Sequence, residues 1–249
     1  VPTRATNSWT RNAIDLFVLK NAGESQLSPN PSASRHSLIR RAYFDLIGLA
    51  PSRREVEDFI ANSSSDAYHQ LVSQLLSSPH YGERWGRHWL DVARFGESHG
   101  YESDNERPTA WTYRDAVIRA LNEDMPFDRF TRWQVAGDTL KGEDALAQAL
   151  TGFLTAGSTV TNVDGVDREK AMYDKMDDIV SATGSAFLGL TIGCARCHDH
   201  KYDPISQRDY YRLVGFFLPG KPADRDLPIG DKGNTVKAVS YTHLRAHET

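Results

Sequence analysis

Apolar residues recur at helical spacing in one segment after another, and this periodicity constrains the chain more than any other feature. The most regular stretch carries Met172, Met176, Ile179, Thr183, Ala186 and Leu190 at alternating steps of four and three. That is a single narrow helical seam. Gly184, Ser185, Ala186 and Gly189 keep part of it thin, so a bulky group can approach closely. Earlier helices are expected over 12–20, 34–47, 65–76, 83–95, 110–125 and 145–154, and Pro126 is expected to start another at its first position. Ser52-x-x-Glu55 and Ser206-x-x-Asp209 have the spacing of reciprocal caps. Gly48 before Pro51 marks a helix end. No segment shows a convincing strand alternation, and nothing repeats. The expected fold is all-α: an irregular multi-helix single domain over residues 8–218.

The flanks read differently. Residues 1–7 are expected to be an incoming linker and 219–236 the start of a linker to a further domain. Residues 237–249, with His243 and His247, resemble a translated cloning adapter and are set aside from the fold expectation. Residue 1 is Val rather than Met, which suggests a fragment or processed form.

Composition narrows the function classes. The 249 residues carry 29 basic and 33 acidic side chains, a net charge of −4. The basic residues are scattered among acids, so no clustered face for nucleic acid is expected. No apolar run is long enough to span a membrane. There is no phosphate-binding loop, no dinucleotide fingerprint and no Gly-x-Ser-x-Gly elbow.

Only two cysteines occur, and they stand together in Cys194-Ala195-Arg196-Cys197-His198. Two thiols three residues apart followed by histidine suit covalent attachment of a c-type haem. The thiols would bond the two vinyl groups, and His198 would present an imidazole to the iron as proximal ligand. Three other readings stay open at this point. Cys194, Cys197, His198 and His200 could form a zinc site, the cysteines could be a redox dithiol, or they could form a short structural disulfide.

A sixth iron ligand has three candidates: Met172 and Met176 on the seam, and His88 beside Trp85 and Val92. Each also has a plain alternative. Methionine fills core gaps, and His88 reads as a buried, hydrogen-bonded core histidine. Asp199, His200, Lys201 and Asp203 form a polar cluster beside the motif. It is either a solvated turn pinned by Pro204 or a second shell that tunes the iron, binds substrate, or orients a propionate or a second metal through His200. His99 reads as exposed. Glu102, Asp104 and Glu106 alternate like calcium ligands, but no complete calcium loop follows, so a solvated loop is expected. Trp111, Trp133 and Tyr113 could be sugar-stacking platforms, although aromatics at helical spacing are ordinarily core.

Long runs around these residues resemble one family. They are Leu188-Gly-Leu-Thr-Ile-Gly-Cys-Ala-Arg-Cys-His-Asp-His-Lys-Tyr-Asp-Pro-Ile-Ser-Gln-Arg-Asp-Tyr-Tyr211 and Tyr81-Gly-Glu-Arg-Trp-Gly-Arg-His-Trp-Leu-Asp-Val-Ala-Arg94. Trp9–Asp15, Arg40–Gly48 and Tyr113–Asp138 add to the likeness. The chain is similar over about 8–218 to the second cytochrome-associated domain of planctomycete-type cytochrome c proteins, a domain of unknown function. The resemblance implies an extracytoplasmic, periplasmic or secreted, bacterial protein. It implies partners within the same longer chain: an upstream haem module and a downstream domain of unknown function. The expectation is therefore a haem c domain for electron transfer or storage, with an unknown redox partner. Two alternatives remain: a haem-dependent oxidoreductase or peroxide-active enzyme, and a polysaccharide-associated module with a structural metal at the Cys/His segment.

Overall fold

The computed structural model describes residues 9–100, 104–141, 144–158, 167–229 and 234–242. Ten α-helices carry most of them: α1 Ala13–Glu24, α2 Arg35–Leu46, α3 Arg53–Ala61, α4 Ala67–Leu76, α5 Pro79–Val92, α6 Trp111–Asn122, α7 Phe127–Leu140, α8 Ala145–Leu150, α9 Arg168–Thr183 and α10 Gln207–Phe217. The expected incoming linker, residues 159–165 of the Gly/Ser/Thr/Asn-rich stretch 157–165, Glu102, His243 and His247 lie outside the described residues.

Local chemistry sets the helix ends. Ser52 accepts from Glu55 N while Glu55 accepts from Ser52 N. Ser206 and Asp209 make the same reciprocal pair at α10. Asn12 and Asp15 form a third such box at α1. Gly48 has φ +71°, the left-handed backbone expected where α2 ends. At α4 the helix begins after Asp66, which makes no side-chain cap bond.

Burial divides into two clusters. Ile39, Ala42, Tyr43, Phe59, Leu71 and Leu75 join α2, α3 and α4. A larger cluster gathers α6–α10 around Val117, Leu150, Phe153, Ile179 and Tyr210, with Trp89 of α5 packed against it. Within this cluster Trp89 Nε1 donates to Tyr113 Oη at 3.0 Å, and Tyr113 donates to Gln134 Oε1 at 2.9 Å. The aromatic candidate Tyr113 is thus core, as is the partly buried Trp133.

The molecule is mostly helical but not all-α. Residues 221–229 and 234–242 pair as an antiparallel hairpin, β1 and β2, with Leu227 opposite Val236 and Arg225 opposite Ala238. Leu227 and Ala238 are buried in the large cluster. Thr155 Oγ1 also donates to Val239 O at 3.4 Å. The segments expected as linker and adapter thus supply this hairpin as far as Thr242. Pro222 and Pro228 hid β1, because proline reads as a strand breaker.

Two further expectations are corrected. The 172–190 seam is not one helix. It ends as α-helix at Thr183, widens into a π-helical turn over Gly184–Leu188, and reverses at Gly189 with φ +64°. Ile14, Phe17 and Val18 of α1 are also exposed among the described residues.

Candidate functional site: the Cys/His turn

Residues Ile192–Arg196 form a 3-10 turn. Side chains three apart superpose on such a turn. Ile192 and Ala195 accordingly face the core, at 5% and 0% exposure. Cys194 and Cys197 take the opposite edge, exposed and as free thiols. Core packing thus orients the two sulfurs outward on one side. Two glycines let the turn sit close to α9 and its continuation. A Cβ at Gly184 would lie 2.7 Å from Ile192 Cδ1, and one at Gly193 would strike Ser181 Oγ. The bulky group admitted by the thin helix is the turn itself.

Arg196 fastens the turn. Its guanidinium donates to Asp174 at 2.8 Å and to Asp177 at 3.1 Å. These bonds, to Asp174 first, hold the guanidinium pKa above its ordinary value. Those from Lys170 and Arg196 hold the Asp174 carboxyl below its usual range. Tyr210 donates to Asp177 Oδ1 at 2.6 Å. Burial and this carboxylate raise the Tyr210 pKa. The Arg196 carbonyl accepts from Gln207 Nε2 at 3.0 Å and Tyr211 Oη at 3.3 Å. The turn is therefore tied to both α9 and α10.

The two histidines have opposite circumstances. His198 is exposed, and its Nδ1 lies 2.8 Å from Asp199 O. A carbonyl only accepts, so Nδ1 carries a proton, and in the neutral ring Nε2 has the lone pair. His200 has a side chain only 5% exposed. Its Nδ1 accepts from Asp203 N at 2.9 Å and Tyr202 N at 3.3 Å, which places the ring proton on Nε2, 2.9 Å from Thr191 Oγ1. Both His200 nitrogens are engaged. It pins the 199–206 loop and does not complete a tetrahedral site with the cysteines. Among the described residues, no group of three or more His, Cys, Asp or Glu side chains is placed to hold a metal ion.

Thr191, His200 and Asp203 superficially resemble a nucleophile–base–acid array, since Asp203 Oδ2 lies 3.3 Å from His200 Nδ1. The tautomer is wrong for that chemistry. A base must accept the hydroxyl proton at Nε2 while Nδ1 donates to the carboxylate. Here Nδ1 accepts from backbone N–H groups.

The rest of the polar cluster also makes contacts within the chain. Asp199 Oδ1 accepts from Gln207 N at 2.8 Å, capping α10. Lys201 lies over the Tyr202 ring at 5.2 Å. The candidate sixth ligands have different surroundings. Met176 is buried in the large cluster, Met172 is exposed, and α9 meets the turn through Asp174, Asp177 and Ser181. His88, expected to be buried, is exposed beside Trp85, with ring centroids 5.4 Å apart. Residue 88 falls on the solvent side of α5, whereas Trp89 turns inward. His99, expected to be exposed, is half-buried with Nδ1 enclosed and unbonded.

Sequence reasoning missed Arg196, Asp174, Asp177 and Tyr210 as the frame of the turn. The Asp174-x-x-Asp177 spacing on one helix face was the available signal.

Residues 13–221 match the family model described as PSCyt2, protein of unknown function (DUF1549). No curated protein and no solved structure matches the chain. With a match over most of its length, the chain belongs to the PSCyt2 (DUF1549) family.

Proposed function

We propose that this domain carries a covalently attached c-type haem at the Cys194–His198 turn and serves electron transfer or storage. One observation carries the reading: His198 turns Nδ1 to Asp199 O, so that Nε2 is the nitrogen without a partner in the chain, on an exposed residue beside two exposed thiols. A metal-bound histidine needs that tautomer, fixed by a backbone carbonyl. The donor set fits the group: Cys194 and Cys197 would hold it through thioethers and His198 through Nε2. When bound, haem supplies a one-electron iron couple whose potential depends on ligands, hydrogen bonds and burial.

The chain's own residues do the positioning. Arg196, with Asp174 and Asp177, keeps the turn from shifting, and the carbonyl of Asp199 orients the imidazole. Leu188, Tyr202 and Tyr211 are exposed in the flanking segments and offer apolar surface to a macrocycle. The sixth ligand and the redox partner come from outside the Cys/His turn on this reading. Attachment of haem c outside the cytoplasm makes the protein extracytoplasmic, periplasmic or secreted. Among the described residues, no helix is long and apolar enough to cross a membrane.

Reductive titration of matured protein tests the redox role. A visible-band change between oxidant and dithionite supports it, and an unchanging spectrum removes it.

A further inference from the structure

We propose that Tyr210 is a redox-active side chain, which gives one electron to an oxidant through Tyr211 while its phenolic proton passes to Asp177. Its purpose rests on the redox reading of the Cys/His turn, whereas the chemistry itself needs no haem. A phenol is hard to oxidise unless its proton has somewhere to go, because the radical cation left otherwise is a very strong acid. Tyr210 meets this need. Its Oη donates to Asp177 Oδ1 at 2.6 Å, the short contact of a charge-assisted bond. The other Asp177 oxygen accepts from Arg196 at 3.1 Å, so the carboxylate is held in place. Tyr210 is 2% exposed, which shields a radical there from solvent.

The neighbouring ring supplies the route outward. The Tyr210 and Tyr211 centroids are 5.0 Å apart, edge to face, within the ordinary range of packed aromatic pairs. Tyr211 is exposed, and its Oη donates at 3.3 Å to the carbonyl of Arg196, which stands between the two cysteines. Tyr211 therefore touches the turn, solvent and Tyr210. Its own acceptor is an amide carbonyl, which takes a hydrogen bond but is too weak a base to take the proton. The oxidised state accordingly settles on Tyr210. The same contrast sets aside Tyr113, which donates to the amide of Gln134. Tyr43 does bond a carboxylate, Glu55, but belongs to the separate α2–α4 cluster.

The step balances as follows. A peroxide-derived one-electron oxidant gains one electron by way of Tyr211. Tyr210 becomes a neutral tyrosyl radical as its O–H bond breaks, and the proton bonds to Asp177 Oδ1. An ascorbate-class reductant returns the electron by the same route, and Asp177 returns the proton. The pair thereby draws oxidising equivalents away from Cys194, Cys197 and His198.

Photo-oxidation of the full 249-residue chain without haem tests the pair. Ruthenium tris-bipyridine with persulfate serves as the oxidant, and electron spin resonance reads the radical. A neutral tyrosyl signal that outlasts the radicals of exposed side chains is expected. Tyr210→Phe, which keeps the ring, is expected to remove most of this persistent signal. Asp177→Asn is expected to lower it and to abolish the slowing of its formation in heavy water. Tyr43→Phe and Tyr202→Phe are expected to leave it unchanged. If Tyr210→Phe does not fold, Tyr211→Phe serves instead: slower formation supports the route, and unchanged formation overturns it. No persistent tyrosyl signal, or one that survives Tyr210→Phe, would overturn the assignment. Because no haem is present, the result stands apart from whether the turn carries one.

Discussion

His198 Nδ1 and the backbone oxygen of Asp199 are 2.8 Å apart, while two residues on His200 has both ring nitrogens bonded within the chain. One imidazole is held ready for an external partner and the other is part of the scaffold. Substitution separates them. His200→Ala strands Thr191 Oγ1 and the N–H groups of Tyr202 and Asp203, and is expected to cost about 1–3 kcal/mol. His198→Ala, at an exposed position, is expected to stay within about 0.5 kcal/mol. Urea unfolding of haem-free protein measures both. Equal losses would mean that His198 is structural as well.

Asp177 holds Arg196 on one side and Tyr210 on the other. Asp177→Ala leaves a buried phenol without its acceptor, and a loss of about 1–3 kcal/mol is expected. Thermal unfolding would show it. The Arg196 pairs themselves add less, because the guanidinium is 35% exposed. Asp174 adds a pH dependence. Its folded pKa lies below the ordinary value, so its contribution is present above about pH 4 and fades as pH falls through the depressed value. Asp174→Asn should flatten the acid limb of the stability profile, and an unchanged limb would place the acid sensitivity elsewhere.

Gly137 of α7 lies against α8, where an added Cβ would strike Ala147 O and come within 2.8 Å of Ala147 C. Backbone cannot swing aside as a flexible side chain can. Gly137→Ala is expected to destabilise by about 1–3 kcal/mol, although alanine is otherwise the better helix former. A neutral result in urea unfolding would mean that the two helices can separate freely.

Tyr113 sits between Trp89 and Gln134 as acceptor and donor in turn. Tyr113→Phe keeps the ring and removes both bonds at a fully buried site. A cost of about 1–3 kcal/mol is expected, measured by the same unfolding curves.

Local signals were legible wherever one residue decides one end of a helix. Ser52 with Glu55, Ser206 with Asp209, and Gly48 all behave as their spacing implies. The Cys/His turn was legible as a motif, but its frame was not. Arg196 reaches Asp174 and Asp177 across about twenty positions, and single-sequence periodicity carries no such information. His88 and His99 exchanged their expected environments because periodicity gives a face and not what covers it. The hairpin was lost to prolines in β1 and to the setting aside of the tail. The break at Gly184–Gly189 was hidden because residues three and four apart keep the seam's spacing even where the helix stops.

The central claim is tested most directly by a denaturing-gel haem stain with a pyridine haemochrome spectrum. The protein would be exported in a host that matures c-type cytochromes, beside a Cys194→Ala/Cys197→Ala control. Covalent haem in the first and none in the control is the expected result. Folded helical protein that carries no haem in either would contradict the account.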